Sequence, residues 1–346
     1  MKMTFRWYGP SDPVTLDKIR QIPGMTGVVS AVYDVKPGEV WPMESIMAVK
    51  DAAEKAGLEF EVVESVPVPE EIKLGTENAP KLIENYAENV RRLAKAGVKC
   101  ICYNFMPVFD WLRSDLKHPL PDGSNSLAFI EKEVLAMDPT KTKLSLPGWD
   151  ESYETGELRD LIDSYKKIGR EGLWRNMENF LKGVIPVAAE VGVNMAIHPD
   201  DPPWDIFGLP RIIINKDNLE RFLNIVPLKE NGLTLCTGSL GSDPDNDIVD
   251  IIKAFPGRIH FVHLRNILFT GDRCFQETGH LSKDGSLDLY EIVKALVETG
   301  FEGYVRPDHG RMIWGEQGRP GYGLYDRALG AAYLNGLFEA VEKNLK

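Results

Sequence analysis

The sequence predicts an α/β protein: a parallel (β/α)8 barrel with a helical insertion after the fourth strand. Three observations carry that expectation. Eight short, apolar, β-rich runs recur along the chain, mostly separated by helical patterns, the alternation that builds parallel sheets. Eight strands close such a barrel, and the excess of the 346 residues over its usual ~250 sits mainly in one stretch, about 108–173. No G-x-G-x-x-G follows the first run, which weakens the open dinucleotide-binding sheet as a competitor.

The elements follow in order. MTFRWYG (3–9) is the first strand and GVVSAVY (27–33) the second, followed by an amphipathic helix over 42–56. LEFEVVESV (58–66) is the third, and residues 80–96 then carry Leu82, Ile83, Tyr86, Val90 and Leu93 at helical spacing. KCICYNFMP (99–107) is the fourth. The insertion holds Pro, Gly, Asp and Ser clusters with two short helical patterns, around 124–137 and 156–168, and a helix over 174–191 leads to the fifth strand, NMAIHPDDPP (194–203). LTLCTGSLGS (233–242), IHFVHLRNI (259–267) and GYVRPDHG (303–310) complete the set, with helices at 246–254, 288–298 and 325–343. The whole of 1–346 reads as one barrel domain. An insertion after a barrel strand emerges on the catalytic face, so 108–173 reads as a lid or as a subunit contact, the latter making the protein a homo-oligomer such as a dimer.

Composition narrows the function. Lys and Arg number 40 against 52 Asp and Glu, a formal charge of −12, whereas a general nucleic-acid binder needs a basic footprint. No signal-peptide pattern opens the chain and no apolar run approaches the ~18 residues of a membrane span. Four cysteines are too few for a disulfide framework, so the expected setting is a reducing cytoplasm, where a thiol with a task is a ligand or a nucleophile.

The chemistry gathers at the ends of the last four strands. His198 ends the fifth, Cys236 the sixth, His263 the seventh and Asp308 the eighth, at spacings of about one βα unit. Side chains two apart on a strand share a face. Ala196 and His198, Thr234 and Cys236, Phe261 and His263, and Arg306 and Asp308 therefore point the same way in pairs, and His260 points the other. Singly, each of the four is ordinary core, cap or surface. At equivalent places on consecutive strands they make a divalent-metal site of two imidazoles, a thiolate and a carboxylate. Ligand softness alone favours zinc or iron.

Other polar groups reach the same mouth. Arg306 shares the face of Asp308 and suits a carboxylate by bidentate pairing; Asn104 ends the fourth strand and Tyr8 the first. His309 has a side chain that titrates near working pH, and Tyr325 lies in the glycine-rich loop GRPGYGLYDRA before the last helix. Cys100 and Cys102 read as core residues, Glu131 and Glu133 as a solvated face, and His118 as surface. His280 is balanced between loop structure and substrate contact, and Cys274 has no assigned role.

At these residues the sequence resembles the mannonate dehydratase family of the xylose-isomerase-like TIM barrels. The opening TFRWYGPSDPVTLDKIRQIPGMTGVVSA, AIHPDDPPW, LTLCTGSLG, FVHLRN and RPDHGR carry the resemblance, which spans essentially the whole chain. It implies that His198, Cys236, His263 and Asp308 bind the metal, Mn2+ or Fe2+ ahead of Zn2+, and that His309 and Tyr325 serve proton transfer. It implies the substrate, a sugar acid, and the reaction: D-mannonate loses water to give 2-dehydro-3-deoxy-D-gluconate in hexuronate (glucuronate) catabolism. Arg306, Asn104 and Tyr8 are then substrate contacts. Competing readings are a sugar isomerase or epimerase of the same barrel group, whose metal sites are typically carboxylate-rich, a zinc endonuclease, which wants a basic face, and a non-catalytic sugar-acid-binding protein.

Overall fold

The computed structural model describes residues 1–139 and 155–345. Among the described residues twelve strands run in chain order: β1 (Lys2–Arg6), β2 (Gly27–Ser30), β3 (Glu59–Glu64), β4 (Cys100–Tyr103), β5 (Asp115–Pro119), β6 (Asn125–Ile130), β7 (Asn194–Ile197), β8 (Asn231–Cys236), β9 (Ile259–Leu264), β10 (Ile267–Gly271), β11 (Cys274–Glu277) and β12 (Tyr304–Pro307). Eight of them close in the order β1-β12-β9-β8-β7-β4-β3-β2, every pair parallel. These eight fall on the eight runs picked from the sequence.

The observed strands are shorter than the runs, because each run ends in the residues that turn the chain over the barrel mouth. The sixth run shows this best: β8 stops at Cys236, and TGSL turns at once into a helix, Thr237–Leu240. The barrel interior carries a small layer of Val29, Val62, Cys100, Cys102, Ala196 and Phe261, all buried, as expected for inward positions that alternate along each strand. The outer core, formed between strands and helices, is much larger.

Helices Met43–Lys55, Ala79–Lys95, Ile248–Ala254, Leu289–Glu298 and Tyr325–Asn344 lie close to the positions that periodicity gave. Thr155–Val191 is helical on both sides of a break at Gly169, whose φ of 62° suits glycine. It therefore contains both the 156–168 and the 174–191 patterns. A helix at Lys216–Ile225, between β7 and β8, was not anticipated; Asn215 caps it by accepting the Asn218 N–H.

The larger departure is a second sheet. β10, β11, β6 and β5 pair antiparallel in that order, so the expected helical pattern at 124–137 is a strand followed by a short helix, Glu131–Ala136. A short apolar run such as NSLAFI is ambiguous by period alone. Pairing with residues about 150 positions downstream decides it: Phe129 opposes Phe275, their rings stacked at 5.6 Å. The insertion is thus tied to the chain after β9 by strand pairing. No helix among the described residues is long and apolar enough to cross a membrane.

Candidate active site

The C-terminal ends of the barrel strands open into a cavity of about 390 Å³, where such barrels place their chemistry. His198 follows β7, its N–H bonded to the Tyr103 carbonyl, and its Nδ1–H donates to the Pro199 carbonyl at 2.7 Å, leaving Nε2 as a donor atom. Cys236 is the last residue of β8, and His263 is fully buried in β9. Ligand atoms of these three lie within 4.8 Å of one another. Asp308, just past β12, brings Oδ2 to 3.6 Å from the Cys236 sulfur and to 4.0 Å from His263 Nδ1. His263 Nε2 is buried with no hydrogen-bond partner among the described residues, and Asp308 is held from the other side by Arg306. Two imidazoles, a thiolate and a carboxylate gathered in this way fit a divalent cation.

The electrostatics prepare those donors. Burial works against charge on Cys236, but the Arg265 guanidinium and the His198 hydrogen bond draw its thiol well below the usual range. Burial likewise opposes charge on His198, yet the bond and charge of Cys236, with Glu64 and Asp308, lift it to about 9. A cation displacing that imidazole proton would meet a thiolate already formed. Asp308 is also buried, and Arg306, His309, His263 and Arg265 hold its carboxyl well below the ordinary value. Arg265 reaches this place because residue 238 is glycine: a Cβ there would occupy the guanidinium's position.

A histidine and a tyrosine stand in contact beside the donors. His309 Nε2 lies 2.8 Å from the Tyr322 hydroxyl, and its Nδ1 lies 2.8 Å from Glu277 Oε1. Trp111, from the insertion, covers the ring at 4.8 Å. Burial, reinforced by Tyr8 and Asp308, raises the Tyr322 hydroxyl well above the ordinary tyrosine range, so it stays protonated. Behind His309 lies a buried charge network. Arg113 pairs bidentate with Asp201 at 2.8 and 3.1 Å and with Glu277 at 2.7 Å, while Arg265 reaches both carboxylates at 2.5 Å.

The expected residues are distributed as follows. His198, Cys236, His263, Asp308, Arg306 and His309 meet at one mouth. Tyr8 lines it too, edge-on to Tyr322 and flanked by Arg6 at 4.6 Å and Arg319 at 4.2 Å. Asn104 lines it while its amide donates to Asp110 and its oxygen accepts the Met106 N–H. Arg306 is less free than expected: it holds Asp308 at 2.6 Å and Glu64 at 3.1 Å. Tyr325 is not brought to the cavity. It opens the last helix, 42% exposed, with its ring against Trp314 at 5.5 Å. Tyr322, three residues earlier on the other side of the turn, occupies the position expected of it. His280 is buried away from the cavity against Gly330, and His118 lies in β5 near Asp115.

Several groups at or behind this mouth were not expected from the sequence. Glu64, ending β3, forms a second cluster with Cys102 and His263 and faces His263 Nε2 at 3.5 Å. Arg265, two residues past His263, shares its face by strand parity, and Asp201 lies in the AIHPDD run. Nothing local marked Glu277, Arg113, Arg6 or Arg319.

This fold and site define a parallel (β/α)8-barrel protein with a buried donor set that fits a divalent metal. A xylose isomerase domain protein from Planctomyces limnophilus shares the fold, with a TM-score of 0.58 at 12% identity over 99% of this chain and 98% of that one. The family model for D-mannonate dehydratase matches residues 1–346. A mannonate dehydratase of Streptococcus uberis is 56% identical over the full length of both chains, and mannonate dehydratase 2 of Halalkalibacterium halodurans is 55% identical over 99% of each. The solved mannonate dehydratase from Streptococcus suis serotype 2 has a TM-score of 0.93 at 52% identity, over 100% of this chain and 96% of that one. The chain belongs to the D-mannonate dehydratase family and is a hydro-lyase.

Proposed function

We propose that this chain dehydrates D-mannonate to 2-dehydro-3-deoxy-D-gluconate and water at the barrel mouth, as a step of hexuronate breakdown in the cytoplasm. His198, Cys236, His263 and Asp308 would hold Mn2+ or Fe2+, and His309 and Tyr322 move the protons. The observation that carries this reading is the 2.8 Å contact of His309 Nε2 with the Tyr322 hydroxyl at the cavity that the four donors share.

The reaction removes the proton on C2 and expels the C3 hydroxyl. That C–H is a very weak acid, because the neighbouring carboxylate already carries negative charge. When bound, the divalent cation supplies Lewis-acid stabilisation of the charge that develops on the substrate carboxylate. The chain does the rest. Arg6 and Arg319, on either side of Tyr8, give an acidic protein a local positive rim for an anionic sugar. His309 Nε2 accepts the C2 proton, and Tyr322, kept protonated by burial, donates to the departing C3 oxygen, which leaves as water. The hydrogen bond between them lets the imidazolium return its proton to the tyrosine. Each group then ends as it began. The enol left on the substrate loses its O2 proton and takes one from solvent at C3. Trp111 and Leu116 of the insertion line the cavity, which supports a lid role for residues 108–139; residues 140–154 of the insertion lie outside the described residues. We keep a homodimer as the expected assembly.

The test is turnover of D-mannonate in D2O, read by NMR and mass. A 3-deoxy-2-keto acid carrying deuterium at C3 is expected. A product that keeps every substrate oxygen, or equal turnover of a neutral aldose, would restore the isomerase reading.

A further inference from the structure

We propose that Glu277 is a positioning residue for this reaction: its carboxylate holds His309 as the Nδ1–H tautomer and so keeps Nε2 open toward the cavity. The inference rests on the reading of His309 as the proton carrier.

Two groups compete for Nδ1. Glu277 Oε1 lies 2.8 Å from it and Arg265 Nη1 lies 2.7 Å from it. A guanidinium has only hydrogens to offer and a carboxylate only lone pairs, so the two favour opposite tautomers. Arg265 Nη1 already has a partner in the same Glu277 oxygen, at 2.5 Å. If Nδ1 were bare, its lone pair would face a carboxylate oxygen 2.8 Å away with no hydrogen between them. The Nδ1–H form satisfies the carboxylate and leaves Nε2 to accept from Tyr322, which has a hydroxyl hydrogen to give.

A counterion serving only to balance charge would look different. Asp201 in the same network takes Arg113 bidentate, one nitrogen to each oxygen. Glu277 instead turns one oxygen to His309, Arg113 and Arg265 together. Its other oxygen is buried with no hydrogen-bond partner among the described residues. Glu277 ends β11, so the second sheet brings this group to the mouth. The logic is that of a carboxylate orienting a catalytic imidazole.

The experiment is a double-mutant cycle with Glu277→Gln and His309→Asn on metal-loaded protein. Glu277→Gln should keep its metal and nearly its KM while kcat falls about 10²-fold. In the His309→Asn background it should lower kcat no further, because it acts through the imidazole. Wild-type kcat in Glu277→Gln, or the same fold loss in both backgrounds, overturns the proposal. Wild-type kcat in His309→Asn overturns the reading of His309 itself. Because Glu277→Gln takes a charge out of a buried network, a measurement on the unaltered protein stands beside it. Nitrogen-15 NMR of the His309 ring, assigned by its loss in His309→Asn, should find Nδ1 protonated and Nε2 bare. The reverse pattern overturns the proposal regardless of how the variant folds.

Discussion

The two sides of the barrel mouth are built differently. On the side proposed to hold the metal, each donor stands at or beside the end of its own strand, β7, β8, β9 or β12. On the side proposed to move protons, Tyr322 comes from a loop, Glu277 from a strand outside the barrel and Arg113 from the insertion. A side chain at a strand end is placed by the barrel itself. One on a loop or an added sheet is placed by whatever that segment packs against. The first kind tolerates disturbance of the surroundings, whereas the second depends on it.

The largest expected effect falls on the metal side. Cys236→Ser exchanges a soft thiolate for a hydroxyl that does not ionise, and His198→Ala removes a donor outright. Both should fold, lose most bound metal on elemental analysis, and drop more than about 10²-fold in turnover, since even residues one shell further out are worth 10–100-fold. Full metal content with wild-type rate would show that the donors are not these.

Next come His309→Asn and Tyr322→Phe. Each should lower kcat by about 10²-fold or more, the scale of a positioned acid or base, with metal content unchanged. An effect confined to KM would make them substrate contacts instead. The contrast with Cys236→Ser is what separates the two sides.

A third variant acts only on the added sheet. Phe129 is buried and stacks on Phe275, so Phe129→Ala should cost about 3–5 kcal/mol, read as a lower melting temperature. It should loosen Glu277 and lower kcat while leaving metal binding intact. Loss of metal instead would erase the division between the two sides.

The smallest effect belongs to Tyr325→Phe. Its ring is partly exposed and its neighbour is Trp314; the change should stay within about twofold in kcat, as for ordinary surface substitutions of roughly ±0.5 kcal/mol. A loss as large as that of Tyr322→Phe would return Tyr325 to the site.

Legibility in the sequence follows the same division. The barrel could be read because local period and alternation survive folding in each of its strands. The convergence of the four proposed metal donors could be read because one per βα unit is a spacing that the fold imposes. Tyr322 and Tyr325 share one glycine-rich loop, and no period says which faces inward; only the turn into the last helix settles it. Glu64 ends β3 as plainly as His198 follows β7, but a glutamate in EFEVVE looks like a solvated position until Arg306 and His263 are seen around it. Arg113 and Glu277 were out of reach because their meaning is their pairing, and pairing at that range leaves no mark in either neighbourhood. The second sheet was missed for the same reason.

That pairing also has a direction in time. Arg113 and Glu277 are 164 positions apart, so a chain leaving the ribosome has made its first seven barrel strands, and both insertion strands, before Glu277 exists to meet Arg113. Loop closure over such a span adds little to the equilibrium cost, but contacts at long range form slowly. Arg113 and Asp201 can therefore settle early, while the strand that completes the site docks afterwards. A chain halted just before β11 would hold His198, Cys236 and His263 and lack Glu277, Asp308 and His309 alike. The order of synthesis thus makes most of the proposed grip on the ion ahead of the means of using it.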